Sequence, residues 1–296
     1  MTKFPQIRLL LQGQPGRRGR FVFFFVTLSC LCLLPAGAAW SAPDQGDGVN
    51  VGKPSVFRNL VPAETLEHQA SLQYTELKRQ AASQNALAPD NNSQVIRLRN
   101  IARKIIPFAA KFNPRANNWK WEINLIGSSQ VNAFCMPGGK IVFYSGLLNK
   151  LKLTDDEVAI VMGHEIAHAL REHARERMAK NELTSIGASI LGQKIGDGKY
   201  ATLFHAGGSL LTLKFSRSDE SEADMVGMEL AARAGFDPRA GVSLWEKMGA
   251  ANKGAPPQWL STHPSGDNRI KEIERHLPEV MPIYENGRRS NITRQD

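Results

Sequence analysis

Thr154-Asp-Asp-Glu-Val-Ala-Ile-Val-Met-Gly-His164-Glu165-Ile-Ala-His168-Ala-Leu170 decides how the rest of the chain is read. Thr154 followed by Glu157 makes a capping box, and the acids of the first turn suit a helix N-terminus. The pattern predicts one unbroken helix over 154–180. His164 and His168 are four residues apart, so both imidazoles share one helix face and can hold a single metal ion. Glu165 lies beside them, placed to act as general base toward a water that the metal activates. With seven histidines in 296 residues, shuffling gives this pattern only about 0.01 times per chain. The flanks, Val158 to Met162 and Ala167 to Leu170, are apolar, which predicts a buried segment. A buried His-Glu-His cluster is costly unless it is paired or metal-bound.

A catalytic zinc site takes three protein ligands and keeps a fourth position open. A metzincin continues its motif with a Gly and a third His; here those positions hold Arg171 and Ala174. His173 is out of register and is expected to face solvent. The segment Ser216-Arg-Ser-Asp-Glu220-Ser-Glu222-Ala-Asp224 offers carboxylates instead. Glu220 and Asp224 are four apart and can face the same metal-bearing helix, one ligating while the other orients an imidazole. Glu222 lies about 200° around the helix from Glu220. Spacing favours Glu220 and leaves the other acids in play.

Outward from this centre, the composition is that of an ordinary globular chain: 42% hydrophobic, 22% charged, 25 Gly and 16 Pro. Collagen-like, coiled-coil and wholly disordered classes are excluded. The net charge of +9 misleads, because five basic residues and no acid lie in the first 41. Nucleic acid is therefore not an expected partner. Residues 1–41 read as a secretory signal: a basic stretch ending at Arg20, an apolar run from Phe21 to Leu34, then small residues to Ala42. The run is short for a membrane span, although an uncleaved anchor in the inner membrane is the alternative. Cleavage removes Cys30 and Cys32 and leaves Cys135 alone, with no intramolecular disulfide to form. Residues 42–61 read as a flexible linker, 62–280 as the folded domain and 281–296 as a polar tail. The domain reads as mainly helical with one small antiparallel sheet, an α+β class. Its elements are helices over 62–83, 93–112 with a kink at Pro107, 218–234, 240–248 and 267–277, and strands over 119–126 and 141–144. Residues 183–213 are apolar and Gly-broken, equally a lid over the cleft or plain core.

His164-Glu-Ile-Ala-His168 followed by Ser216 to Asp224 resembles the HtpX-like and CAAX prenyl protease-like zinc metallopeptidases, metallopeptidase family forty-eight. Val131-Asn132-Ala133-Phe134-Cys135-Met136-Pro137-Gly138-Gly139 and Thr262-His263-Pro264…Arg269-Ile270 are similar to two further elements of that family. The resemblance covers about residues 62–277 and is closest to the soluble, exported branch. It implies a zincin-like (gluzincin) fold, one zinc per chain on His164, His168 and Glu220, Glu165 as the catalytic base, and Asp224 as companion of a ligand. It also implies a periplasmic metalloendopeptidase for misfolded or misassembled envelope proteins, working with outer-membrane assembly machinery. The alternative is a chaperone-like assembly factor with a gated or secondary protease activity.

Residues 131–146 would form an edge strand to which a peptide adds, with Asn132, Ala133, Gly138 and Gly139 as substrate-binding positions. Cys135 reads as an inert core thiol. His263 and Arg269 are expected near the metal, where a cation or N–H donor stabilises an oxyanion; His263 would otherwise fill the open metal position. Arg269 has a structural ion pair as its other reading.

Overall fold

The computed structural model of the chain describes residues 48–189, 210, 213–251, 258–263 and 269–292, except for the side chains of 182–189 and 288–292. The chain divides into units 1–44 and 45–296, and the first, with the expected export signal, lies wholly outside the described residues. So does most of the expected lid, over 190–209 and 211–212.

The helices are α1 Ala63–Ser83, α2 Ser93–Ile105, α3 Ser145–Leu151, α4 Asp155–Leu170, α5 His173–Ser189, α6 Arg217–Arg233, α7 Ala240–Ala251, α8 Gln258–Thr262 and α9 Arg269–Ile292. The strands are β1 Glu122–Ile126, β2 Ala133–Met136 and β3 Lys140–Tyr144. The expected kinked helix over 93–112 is α-helical only to Ile105, just before Pro107, and the chain continues as a 3-10 turn over Ile106–Lys111.

Helix α4 is the axis of the domain. Thr154 Oγ1 accepts from the Glu157 amide, and the Glu157 carboxylate accepts from the Thr154 amide at 2.8 Å, completing the capping box. Every residue from Glu157 to Leu170 is buried. A helix wrapped on all sides needs no polar face, so this one reads as apolar around its circumference. Glu157 is buried too, and it accepts from Ser243 Oγ at 2.8 Å and Lys247 Nζ at 2.6 Å. Burial opposes its charge, but Lys247, the Thr154 amide and Ser243 outweigh that and hold its pKa below the usual 4.5. A depressed carboxylate contributes stability above its unfolded-state pKa and loses it as pH falls through the folded value. Glu157→Gln should therefore cost about 1–2 kcal/mol at neutral pH. The gap from wild type should stay level above about pH 6 and close below about pH 4.5. Urea unfolding of both chains across this range checks it; a gap that widens in acid contradicts it.

The sheet has the order β1-β3-β2. It is mixed rather than purely antiparallel: β1 runs parallel to β3, and β2 antiparallel to it. The tight turn Pro137 to Gly139 makes β2 and β3 a hairpin, and β1 pairs with the outer side of β3. Gly138 and Gly139 have φ of +82° and +77°, a left-handed backbone that favours glycine. Among the described residues strand β2 is an edge of the sheet, and it packs against α4.

Three further expectations need correction. The helix over 154–180 is two helices, because Glu172 takes a left-handed backbone with φ of 59° and turns the chain between α4 and α5. The expected linker is held to the domain where it is described. Val49 is buried, and its N–H donates at 2.7 Å to Glu229, a fully buried carboxylate that also takes Arg233 and Lys111. A buried carboxylate demands such donors, and the segment supplies one. Finally, α9 does not stop at Leu277 but runs through Pro278 and Pro282 into the expected polar tail. Both prolines are exposed, so water can take the carbonyls they orphan, while Val280, Ile283 and Tyr284 on the other face are buried.

Candidate metal centre

His164 and His168 project from one face of α4 with their Nε2 atoms 3.0 Å apart. Opposite them stands α6, whose N-terminus is set by a second capping box: Ser216 Oγ accepts from the Asp219 amide at 3.2 Å, and Asp219 accepts from the Ser216 amide at 2.7 Å. The two helices touch backbone to backbone. A Cβ on Gly163 would lie 2.5 Å from the Gly227 carbonyl oxygen, and one on Gly227 would lie 2.6 Å from the His164 nitrogen. Only glycine permits that approach. It brings Glu220 Oε2 within 3.5 Å of His164 Nε2, and Glu220 Oε1 within 3.5 Å of His168 Nε2.

His263, just beyond α8, completes the cluster, with Nδ1 3.0 Å from Glu220 Oε1 and 3.3 Å from His164 Nε2. The donor atoms of His164, His168, Glu220 and His263 all lie within 4.8 Å of one another, and all four residues are buried. Three imidazoles and a carboxylate converging in a buried space are the donor set zinc takes. His263 thus lies inside the cluster, its ring nitrogen beside the donor atoms of the other three.

Asp224 accepts from His164 Nδ1 at 2.9 Å, which fixes the proton there and turns Nε2 into the cluster. Burial disfavours the imidazolium of His164, but its bonds to Asp224 and Glu220 prevail and lift its pKa to about 9. For Glu220, too, burial pushes toward protonation, and the surrounding histidines hold the carboxyl well below the usual range. His168 moves the other way, because burial and its histidine neighbours outweigh the pull of Glu220.

Arg269 lies beside the cluster in the ion-paired arrangement that is its other reading. Its guanidinium donates to Glu220 Oε2 at 2.7 Å and to both oxygens of Asp224, and it stacks on Trp245 at 4.0 Å. It pairs with Glu220, a member of the donor cluster, and with Asp224, the partner of His164. Asn132 and Ala133 line a cleft with Phe134, Glu165, His168 and Phe215. Gly138 and Gly139, at the β2–β3 turn, are not part of that lining; a Cβ on Gly139 would come 2.6 Å from the Trp121 ring. Cys135 is a half-buried free thiol, and burial pushes its pKa well up, which agrees with an inert group. His173 is not on the surface: it is buried, with Nδ1 3.0 Å from His168 Nδ1.

Other contributors escaped the spacing argument. The Trp259 indole N–H, fully buried on α8, donates to Glu165 Oε1 at 2.6 Å. The Phe215 ring stacks on His168 at 4.0 Å. Neither aromatic lies at a fixed offset from the metal motif, so no local signal marks it.

Residues 95–277 match the model of Peptidase family M48. Mitochondrial metalloendopeptidase OMA1 of Arabidopsis thaliana is 41% identical over 166 residues, covering 55% of this chain and 33% of that protein. Its namesake in Saccharomyces cerevisiae is 32% identical over 225 residues, covering 72% and 64%. The beta-barrel assembly-enhancing protease of Escherichia coli is 28% identical over 170 residues, covering 54% and 35%. The matches thus span from a third to just under two thirds of these relatives' lengths.

Proposed function

The chain belongs to peptidase family M48, and from that membership we propose that it is a zinc metalloendopeptidase that cleaves misfolded or misassembled cell-envelope proteins. The observation that carries the reading is the buried convergence of His164, His168 and Glu220, with Glu165 beside them. When bound by these three residues, zinc supplies Lewis acidity. The chain's own groups do the rest. Glu165, steadied at one oxygen by Trp259, takes the proton of the attacking water and delivers it to the leaving amine. Asp224 orients His164, and Arg269 holds Asp224 in turn. A substrate in extended form adds to β2, an edge strand among the described residues, beside Asn132 and Ala133, through main-chain hydrogen bonds. Such recognition is indifferent to most side chains, which suits unfolded substrates.

Export to the periplasm draws its support from the order of basic, apolar and small residues over 1–41. The name of the Escherichia coli relative ties that protein to β-barrel assembly, and action near the outer-membrane assembly machinery is carried over from it. The OMA1 relatives are mitochondrial by name. An uncleaved anchor in the inner membrane is the alternative placement; among the described residues no helix is long and apolar enough to cross a membrane.

One observation favours a second reading, a chaperone-like assembly factor with gated proteolysis: His263 stands within the donor cluster, where a substrate needs an open position. Digestion of casein by the zinc-loaded chain distinguishes the two. The protease reading expects cleavage that a chelator stops and added zinc restores. Zinc bound with no cleavage supports the gated reading.

A further inference from the structure

The reversal between α4 and α5 has a chemical consequence at His168. Glu172, in its left-handed conformation, is clasped by Arg58 at 2.7 Å and Arg175 at 2.8 Å. A non-glycine residue persists in that conformation only when its surroundings over-determine it. The turn swings His173, the first residue of α5, back over the end of α4. Its Nδ1 comes within 3.0 Å of His168 Nδ1, and its Nε2 lies 3.2 Å from Glu222 Oε2. The other oxygen of Glu222 accepts from Arg171 Nε, and a terminal nitrogen of Arg171 donates to the Gly52 carbonyl at 3.0 Å. His173 and Arg171 are both buried.

The proton positions in this row follow one from another. His168 presents Nε2 to the metal donors, so that atom carries the lone pair and Nδ1 carries the hydrogen. His173 Nδ1 must then accept, which leaves the hydrogen of His173 on Nε2, facing the Glu222 carboxylate. Every donor in the row meets an acceptor. We propose that His173 is a positioning residue for the metal centre, accepting the Nδ1 hydrogen of His168 and anchoring it through the Glu222–Arg171 ion pair. The two helical ligands are thus oriented by different devices. His164 reaches a carboxylate, Asp224, directly; His168 reaches one through a second imidazole. The inference rests on His168 being a zinc ligand, as proposed above. The competing explanation is that His173 merely fills space between α4, α5 and α6.

Zinc dissociation constants, measured by competition with a chromophoric chelator, separate these explanations without reference to proteolysis. The proteins are the full chain, His173→Leu, His173→Gln, Glu222→Gln, and Glu220→Gln as a loss-of-ligand control. His173→Leu keeps bulk but removes the acceptor, and should weaken zinc binding by about 10–100-fold. The amide oxygen of His173→Gln can accept from His168, so this variant should recover at least half of that loss on a logarithmic scale. Glu222→Gln leaves His173 in place and should weaken binding by several-fold, which keeps the test usable if His173→Leu does not fold. The visible spectrum of the cobalt-substituted chain should change in His173→Leu and stay near wild type in His173→Gln. Equal zinc affinity in wild type and His173→Leu, or equal losses in the Leu and Gln variants, overturns the proposal. With His173→Leu unfolded, wild-type affinity in Glu222→Gln overturns it. If the full chain binds no zinc, or Glu220→Gln binds as tightly as wild type, the metal centre itself has been misread and the proposal falls with it.

Discussion

Glu165→Gln is expected to lower kcat for peptide hydrolysis by on the order of 10²–10⁴-fold while zinc stays bound at one per chain. The change is nearly isosteric. The amide oxygen can still accept from the Trp259 indole, which now sits 2.6 Å from Glu165 Oε1, so the side chain should keep its place. What it loses is the capacity to take a proton and return it. Because His164, His168, Glu220 and His263 are untouched, the donor cluster remains whole. The measurement is a pair: turnover of a quenched peptide or casein, and metal content of the purified chain. Turnover within about threefold of wild type would remove Glu165 from the mechanism. Loss of both turnover and zinc would mean that the side chain serves folding rather than proton transfer.

Gly227→Ala is expected to reverse the sign that helix propensity predicts. In an exposed helix, Gly to Ala stabilises by about 1 kcal/mol. Here the added methyl would meet the His164 nitrogen at 2.6 Å and the Gly163 carbonyl carbon at 2.9 Å. Those are backbone atoms of a fully buried helix and cannot rotate away, so α6 must move. Overpacking of this kind costs about 1–3 kcal/mol. Two turns before Gly227 on α6 lies Glu220, so the same displacement draws its carboxylate away from the imidazoles. Both effects are expected together: a lower denaturation midpoint for the zinc-free chain, and zinc binding weakened by at least tenfold. Gly163→Ala should behave alike, because its Cβ would meet the Gly227 carbonyl oxygen at 2.5 Å. A Gly227→Ala chain as stable as wild type, with unchanged zinc affinity, would mean that the contact between α4 and α6 is slack.

The legible features of this chain are those whose cause is local. A capping box lies within four residues, so Thr154 to Glu157 marks the start of α4, and the structure has the bonds that the pattern implies. The i, i+4 spacing of His164 and His168 places two imidazoles on one face whatever surrounds them. The misread helix ends at Glu172 and Pro278 share an assumption that an element continues until a glycine or proline stops it. At Glu172 the chain turns at a glutamate, because Arg58 and Arg175, on other parts of the fold, hold that residue in a conformation its own chemistry disfavours. The register argument that sent His173 to the surface presumed an unbroken helix. At Pro278 and Pro282 the opposite occurred: burial of Val280, Ile283 and Tyr284 carried the helix past two residues that would end it alone.

By itself, then, the sequence determined the metal-bearing helix, its cap, the pair of imidazoles with Glu165 between them, and the acidic helix that had to supply a carboxylate. These depend on helix periodicity and on hydrogen bonds between near neighbours. Only the tertiary structure decided that Arg269 braces Glu220 and Asp224, that Trp259 steadies Glu165, that His173 turns inward to His168, and that Gly163 and Gly227 set the separation of α4 from α6. Each of these joins residues from separate elements, and a contact across sequence distance is fixed by how whole helices pack, which no local spacing records.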